Sequence, residues 1–331
     1  MKDLKKILDL CPDLRSLTID ECKPAVLDII QRNLKQLERL CIGKDVEFGE
    51  VGEYQQQLEA SVSSSSSTGI RDIAITVTRP RDYVSIFESN QTTLKTLFLD
   101  VWCEPVCRGE VTDKKGWKLL GSACKFPNLQ SLHCCADELL CNIVFTPLLQ
   151  NSPCIRSLSL NLDPIIGLTE SFTMAVVNMP SLQSLQIIEG GEGIEQDIEF
   201  ILEGLASKGE TGVSTLEDIR FVQTNFEMTV VVDSIARIQT LRHLEFNDVP
   251  SLEREDLIYL CPKLSSHPGI RSISLTRIGC IDNKMLRQLA TIQGLERLHL
   301  ESLSKITHRG LSAFNGSSVK LTIEDCESVE M

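Results

Sequence analysis

The sequence predicts an α/β solenoid, a horseshoe with parallel strands on its concave face and helices on its convex face. Three observations lead there. A short apolar pattern returns eleven times along the 331 residues. Between the copies lie stretches whose apolar residues are spaced as on one face of a helix. Aromatic residues make up only 5% of the chain, so the core must be built from Leu, Ile and Val, which suits stacked identical layers better than one irregular core.

The pattern is L-x-x-L-x-L, with Ile, Val, Phe or Cys allowed at the apolar places. It occurs at Leu14-Leu17-Ile19, Leu37-Leu40-Ile42, Ile70-Ile73-Ile75 and Leu94-Leu97-Leu99. It continues at Leu129-Leu132-Cys134, Ile155-Leu158-Leu160, Leu182-Leu185-Ile187 and Leu216-Ile219-Phe221. The last full copies are Leu241-Leu244-Phe246, Ile270-Ile273-Leu275 and Leu295-Leu298-Leu300, followed by a degenerate twelfth at Leu321-Thr322-Ile323. Successive copies begin 23 to 35 residues apart, mostly within the roughly 20–29 residues of leucine-rich repeats. The expectation is a single leucine-rich-repeat domain of about twelve repeats over residues 1–331. A solenoid of this length needs no second domain, because its core grows lengthwise.

Each element follows from the pattern. The last two apolar residues of a copy alternate with polar ones, as in a short strand whose apolar side chains turn inward. Helical spacing follows in Pro24–Gln36, where proline suits the first turn because its missing N–H would have no partner there. Glu195–Lys208 and Asp282–Ile292 carry the same spacing. Proline steps at Cys11-Pro12, Phe126-Pro127, Met179-Pro180 and His267-Pro268 disfavour helix just before each strand.

The three longest spacings imply loop insertions near 47–69, 101–126 and 189–214. The first ends in a serine run at 63–67, too polar to offset its ordering entropy. The second contains Trp102 and Trp117. The third is glycine-rich at Gly190-Gly191-Glu192-Gly193, without the Lys-Ser/Thr of a phosphate loop. Residues 1–10 look like the convex helix of a repeat, with Leu4, Ile7 and Leu8 uncovered, so the chain reads as N-terminally incomplete.

A net charge of −13 and a pI near 5.0, with no dense Lys/Arg cluster, argue against nucleic acid and against an anionic membrane as partners. No apolar run approaches the ~18 residues of a membrane span, and the first residues lack a signal-peptide core. The 13 cysteines follow no pairing framework and read as small hydrophobes in a reduced, intracellular protein, cytoplasmic or nuclear. Two glycosylation-type triplets, Asn90-Gln91-Thr92 and Asn315-Gly316-Ser317, point the other way.

Catalytic chemistry finds little support. Six cysteines between Cys103 and Cys141, with His133, could in principle ligate zinc, which keeps a zinc-dependent domain open as an alternative. The cluster has no C-x-x-C pair, and Cys134 occupies a core position. The histidines fall in separate layers, too far apart to assemble one nucleophile–base site. The expectation is a non-enzymatic chain with no cofactor.

Several copies extend the pattern to L-x-x-L-x-L-x-x-C, in full at Leu14-Leu17-Ile19-Cys22 and in part at Leu321-Ile323-Cys326. Leu295 to Leu300 runs on into Leu303-Ser304-Lys305-Ile306-Thr307-His308-Arg309-Gly310-Leu311. These segments resemble the cysteine-containing repeats of F-box proteins, in which C-x-x-I-T-D-x-G-L follows the strand. Here Leu303 replaces the Cys and His308 the Asp. The resemblance implies the substrate-recognition repeats of a cullin-based ubiquitin ligase, whose N-terminal F-box docks the ligase. The residues before Leu14 are too few for an F-box, so the expectation is a substrate-recognition half without its ligase-docking half. A stand-alone ribonuclease-inhibitor-like binding scaffold is the alternative that the same repeats imply.

The expected binding surface is the concave face, built from strand residues between the inward apolar positions. Phe98, His133, Gln186, Arg220, His243, Glu245, Arg297 and His299 are its candidate protein-binding residues, with Asp218 and Glu301 among their neighbours.

Overall fold

The computed structural model describes residues 10–20, 24–33, 35–43, 69–77, 79–100, 113–136, 140–162, 167–189 and 193–326. The apolar N-terminal residues Leu4, Ile7 and Leu8, the serine run and Trp102 lie outside these described residues. The chain divides into two compact units, residues 1–135 with 139–155, and residues 136–138 with 156–331. Both are built as the repeat predicts, from parallel strands alternating with helices along the chain.

In the first unit β1 (Ser16–Ile19), β2 (Arg39–Ile42), β3 (Asp72–Thr76), β4 (Thr96–Asp100) and β5 (Ser131–Ala136) pair in parallel in sequence order. The apolar positions of successive copies meet in register. Leu40, Ile73, Leu97 and Leu132 form one row, and Ile42, Ile75, Leu99 and Cys134 the next. All eight are buried. Each full burial of such an aliphatic side chain contributes about 1.5–3 kcal/mol, so rows of them dominate the unit's stability.

Helices α1 (Pro24–Asn33), α2 (Val84–Ser89), α3 (Lys114–Ala123) and α4 (Thr146–Gln150) connect the strands. The stretch 101–126, expected as a loop insertion, requires a correction. Its described part, from Asp113 onward, is mainly α3. Asp113 caps this helix, accepting from the Gly116 N–H at 2.9 Å, and also holds Arg81 at 2.8 Å. Trp117, Leu120 and Ala123 are buried beneath it. This is a repeat's own helix, obscured in the sequence by the lysines and glycines that share its turns.

The second unit holds β6 (Ser157–Leu162), β7 (Ser184–Ile188), β8 (Asp218–Val222), β9 (His243–Asn247), β10 (Ser272–Thr276), β11 (Arg297–Glu301) and β12 (Lys320–Glu324). These too are parallel and paired in sequence order. Its helices are α5 (Glu170–Val177), α6 (Glu195–Glu210), α7 (Thr229–Arg237), α8 (Arg254–Ser265), α9 (Asn283–Leu289) and α10 (His308–Leu311). Within the third expected insertion, 189–214, the helical spacing expected over Glu195–Lys208 is realised as α6, so most of this stretch is helix and not loop. Helix α9 begins one residue after the expected start because Asp282 is its cap, accepting from the Lys284 and Met285 N–H groups. Phe221 and Phe246 stack in the core with ring centroids 5.5 Å apart, and Phe226 meets Phe221 edge-on.

Two backbone features were not foreseen. The residue after each of six strands adopts the left-handed region: Glu189, Gln223, Asp248, Arg277, Ser302 and Asp325 have φ between 50° and 54°. The first five each donate their N–H to the carbonyl of the last residue of the next strand, at 2.8 to 3.0 Å. Those extra ladder bonds offset a conformation that L-residues otherwise avoid by about 1–2 kcal/mol. The second feature is His267, buried at the turn before β10. Its Nδ1 accepts from the N–H groups of Gly269 and Ile270, so Nε2 carries the proton and donates to the Ile238 carbonyl. The His267-Pro268 step thus ends α8 with a side-chain-locked turn.

Candidate protein-binding surface

Strand alternation sends every second side chain away from the core, and parallel register aligns these side chains in rows. In the first unit the middle row runs Thr18, Cys41, Ala74, Phe98, His133. Two expected site residues meet here. The Phe98 and His133 rings stack with centroids 4.1 Å apart and an interplanar angle of 4°. Phe98 also packs on buried Cys41 and Ala74, giving this face an apolar band. Burial lowers the His133 pKa to about 4, so its ring is neutral at physiological pH.

The other six expected residues lie in the second unit. Its middle row is Gln186, Arg220, Glu245, Ser274, His299, Thr322, and the row beside it is Ser184, Asp218, His243, Ser272, Arg297, Lys320. Arg220, His243 and Glu245 form one cluster. The Arg220 guanidinium lies 3.3 Å from Asp218 and 3.5 Å from Glu245, and His243 Nε2 lies 3.6 Å from Glu245. Only 18% of the Arg220 side chain is exposed, so it is a brace within the face and not a free charge. Burial raises the Asp218 pKa to about 6, with Glu245 adding to the rise and His243 and Ser184 opposing it. Burial also pushes Glu245 up, but the His243 hydrogen bond and the charges of Arg220, His243 and His299 together hold its carboxyl below the usual value.

His299 forms a second group with Glu301, 3.3 Å away, and Glu301 also accepts from the Thr276 hydroxyl. Arg297 is exposed beside it. Between the two groups β10 presents only Ser272, Ser274 and Thr276, all buried, so the face is recessed there. Sequence reasoning passed over Lys320, Thr322 and Glu324, which extend these rows on β12. The degenerate copy Leu321-Thr322-Ile323 was the signal that could have found them.

Among the described residues the cysteine cluster is not arranged as the zinc alternative would require. Cys103 and Cys107 lie outside the described residues. Cys124, Cys134 and Cys141 are buried, and burial pushes the Cys124 and Cys134 thiols far above their ordinary range, away from the thiolate a metal requires. Among the described residues no group of three or more His, Cys, Asp and Glu side chains is placed to hold a metal ion. Also among them, no helix is long and apolar enough to cross a membrane.

Taken together, repeat, strand order and alternating helices make each unit an α/β solenoid of parallel strands and interspersed helices. No family model matches the chain. In the crystal structure of the Rad7 and Elc1 complex from yeast, one chain is similar over 97% of this chain and 87% of its own, with 14% identity and a TM-score of 0.43.

Proposed function

We propose that this chain is a non-catalytic scaffold that binds a protein partner on the strand-built face, as the substrate-recognition repeats of an F-box-type ubiquitin-ligase adaptor do. One observation carries the reading. Successive strands hold Gln186, Arg220, Glu245, Ser274, His299 and Thr322 in a single registered row. Side chains fixed to a paired sheet lose little entropy on contact, which is the condition for efficient recognition. The F-box-type resemblance of the repeats supplies the biological role: the partner is a substrate, and a cullin-based ligase is reached only if an F-box is joined to these repeats. Restricted to the repeats themselves, the same surface serves equally as a ribonuclease-inhibitor-like scaffold, and recovery of a ligase separates the two.

The test is affinity capture from cell extract with mass spectrometry, comparing the wild type with two double variants. Arg297→Glu with His299→Ala alters the strand face. Lys284→Glu with Arg287→Glu alters exposed positions of α9. The expected result is loss of the partner with the first variant only, both variants keeping the wild-type circular dichroism. Loss with the α9 variant alone overturns the reading.

A further inference from the structure

The last two strands of the second unit bring like charges together twice. Arg297 is the register partner of Lys320, and Glu301 is the register partner of Glu324. Neighbouring strands lie about 4.8 Å apart, so each pair places two equal charges side by side. Both members of the basic pair are exposed, as is Glu324. Among the described residues Arg297, Lys320 and Glu324 take part in no ion pair, whereas most arginines of this unit do. Glu301 is engaged by His299 and Thr276 on its own side of the face. Directly opposed like charges in a sheet are unfavourable, and here two such pairs occupy one pair of strands.

The two pairs also have a fixed polarity. Residues 297 and 301 share a strand face four positions apart, a separation of about 13 Å. The basic pair stands at the N-terminal end of β11 and β12, and the acidic pair at the C-terminal end. Between them lie His299 and Thr322, in register with each other. A uniformly acidic or uniformly basic partner would neutralise one pair and be repelled by the other.

We infer that the β11–β12 face is a bipolar docking site for an extended peptide segment of a partner protein, with acidic side chains at one end and basic side chains about 13 Å further along. Acidic groups of the segment lie against Arg297 and Lys320, and basic groups against Glu301 and Glu324. The inference rests on the strand face being the binding surface and adds the chemistry of what binds there. Charge complementarity chooses the occupant, since only a segment with separated blocks relieves both like-charge pairs at once.

The experiment uses the full chain and two fluorescein-labelled peptides of identical composition. One carries an Asp pair and a Lys pair separated by a Gly-Ser spacer about 13 Å long when extended. The other has the same residues with alternating charge. Fluorescence anisotropy is read at roughly 20 mM salt, where screening is weak over the patch. The expected result is at least about tenfold tighter binding of the blocked peptide, a difference of about 1.4 kcal/mol. Arg297→Glu with Lys320→Glu abolishes it while the protein stays folded. Equal binding of both peptides, still lost in that variant, overturns the bipolar inference and leaves the strand-face reading standing. Binding of neither peptide at millimolar concentration overturns the inference alone. Binding that survives this variant but disappears with Lys284→Glu and Arg287→Glu overturns both.

Discussion

Arg220 and Glu245 face each other across β8 and β9 at 3.5 Å, with 18% and 17% of their side chains exposed. Removing one member of so shielded a pair strands the other. Arg220→Ala should therefore destabilise the protein by about 2–4 kcal/mol, because Asp218 and Glu245 lose their shared cation. Adding Glu245→Gln to that variant should recover part of the loss. Urea denaturation of the single and double variants measures this, and a smaller effect in the single than in the double would show that Arg220 does not brace the cluster.

Asp218 gives the second unit a pH dependence of defined sign. Its folded pKa of about 6 lies above the ordinary 3.8, so the unfolded chain loses this proton first as pH rises. The resulting cost is absent below the unfolded value, grows between about pH 4 and 6, and is fully present above. Asp218→Asn keeps the acceptor for Ser184 and Arg220 without the buried charge. The variant should melt higher than the wild type at pH 7.5 and no higher at pH 4. A lower melting temperature at pH 7.5 would contradict this.

His133 acts in the opposite direction in the first unit. Its pKa falls from 6.5 to about 4 on burial, so the unfolded chain takes up the proton first as pH falls. The stability it confers is complete above the unfolded value and is lost as pH drops from about 6.5 to 4. His133→Phe retains a ring against Phe98 and carries no proton. Denaturation midpoints of the variant should decline less over that interval than those of the wild type. Parallel curves would remove His133 as the source.

His267 makes three backbone hydrogen bonds at one buried turn. His267→Ala leaves two N–H groups and a carbonyl without this partner and should destabilise by about 3 kcal/mol. Hydrogen exchange at the amides of Gly269 and Ile270 should accelerate in the same variant. Unchanged exchange there would mean that other acceptors replace the ring.

The β11–β12 charges predict a gain instead of a loss. Lys320→Glu turns a like pair with Arg297 into an opposite pair and should stabilise by about 0.5 kcal/mol. A sequence selected for stability alone would have made that change, so thermal melts that show destabilisation would argue against strain between these side chains.

The architecture was legible because the repeat states the same instruction many times. Leu158, Leu185 and Ile219 need no interpretation one by one once their common spacing is seen. The strand face was legible as a set of positions, since alternation fixes which residues leave the core. What each residue does there was not. Arg220 looked like an outward charge, but only the pairing of β8 with β9 shows it held between Asp218 and Glu245. The helix α3 was missed because Trp117 and Leu120 sit among Lys114, Lys115, Gly116, Lys118 and Gly121, residues that read locally as loop. The left-handed residues were hidden for a different reason: Glu189, Gln223, Arg277 and Ser302 are not types that announce positive φ, and the bonds that hold them reach into the next repeat.

Those post-strand residues make the second unit divisible. Gln223 and Asp248 have the same backbone conformation and bond in the same way to the strand that follows them. Excising residues 223–247 would join Val222 to Asp248, a residue already shaped for the place that Gln223 vacates. The cut preserves phase, and it deletes one column of the strand face, His243 and Glu245, without changing the order of the remaining columns. Lengthening works by the same junction. A chain punctuated this way can gain or lose whole strands by recombination between like corners, so the side chains its strand face presents can change in whole columns as well as one at a time.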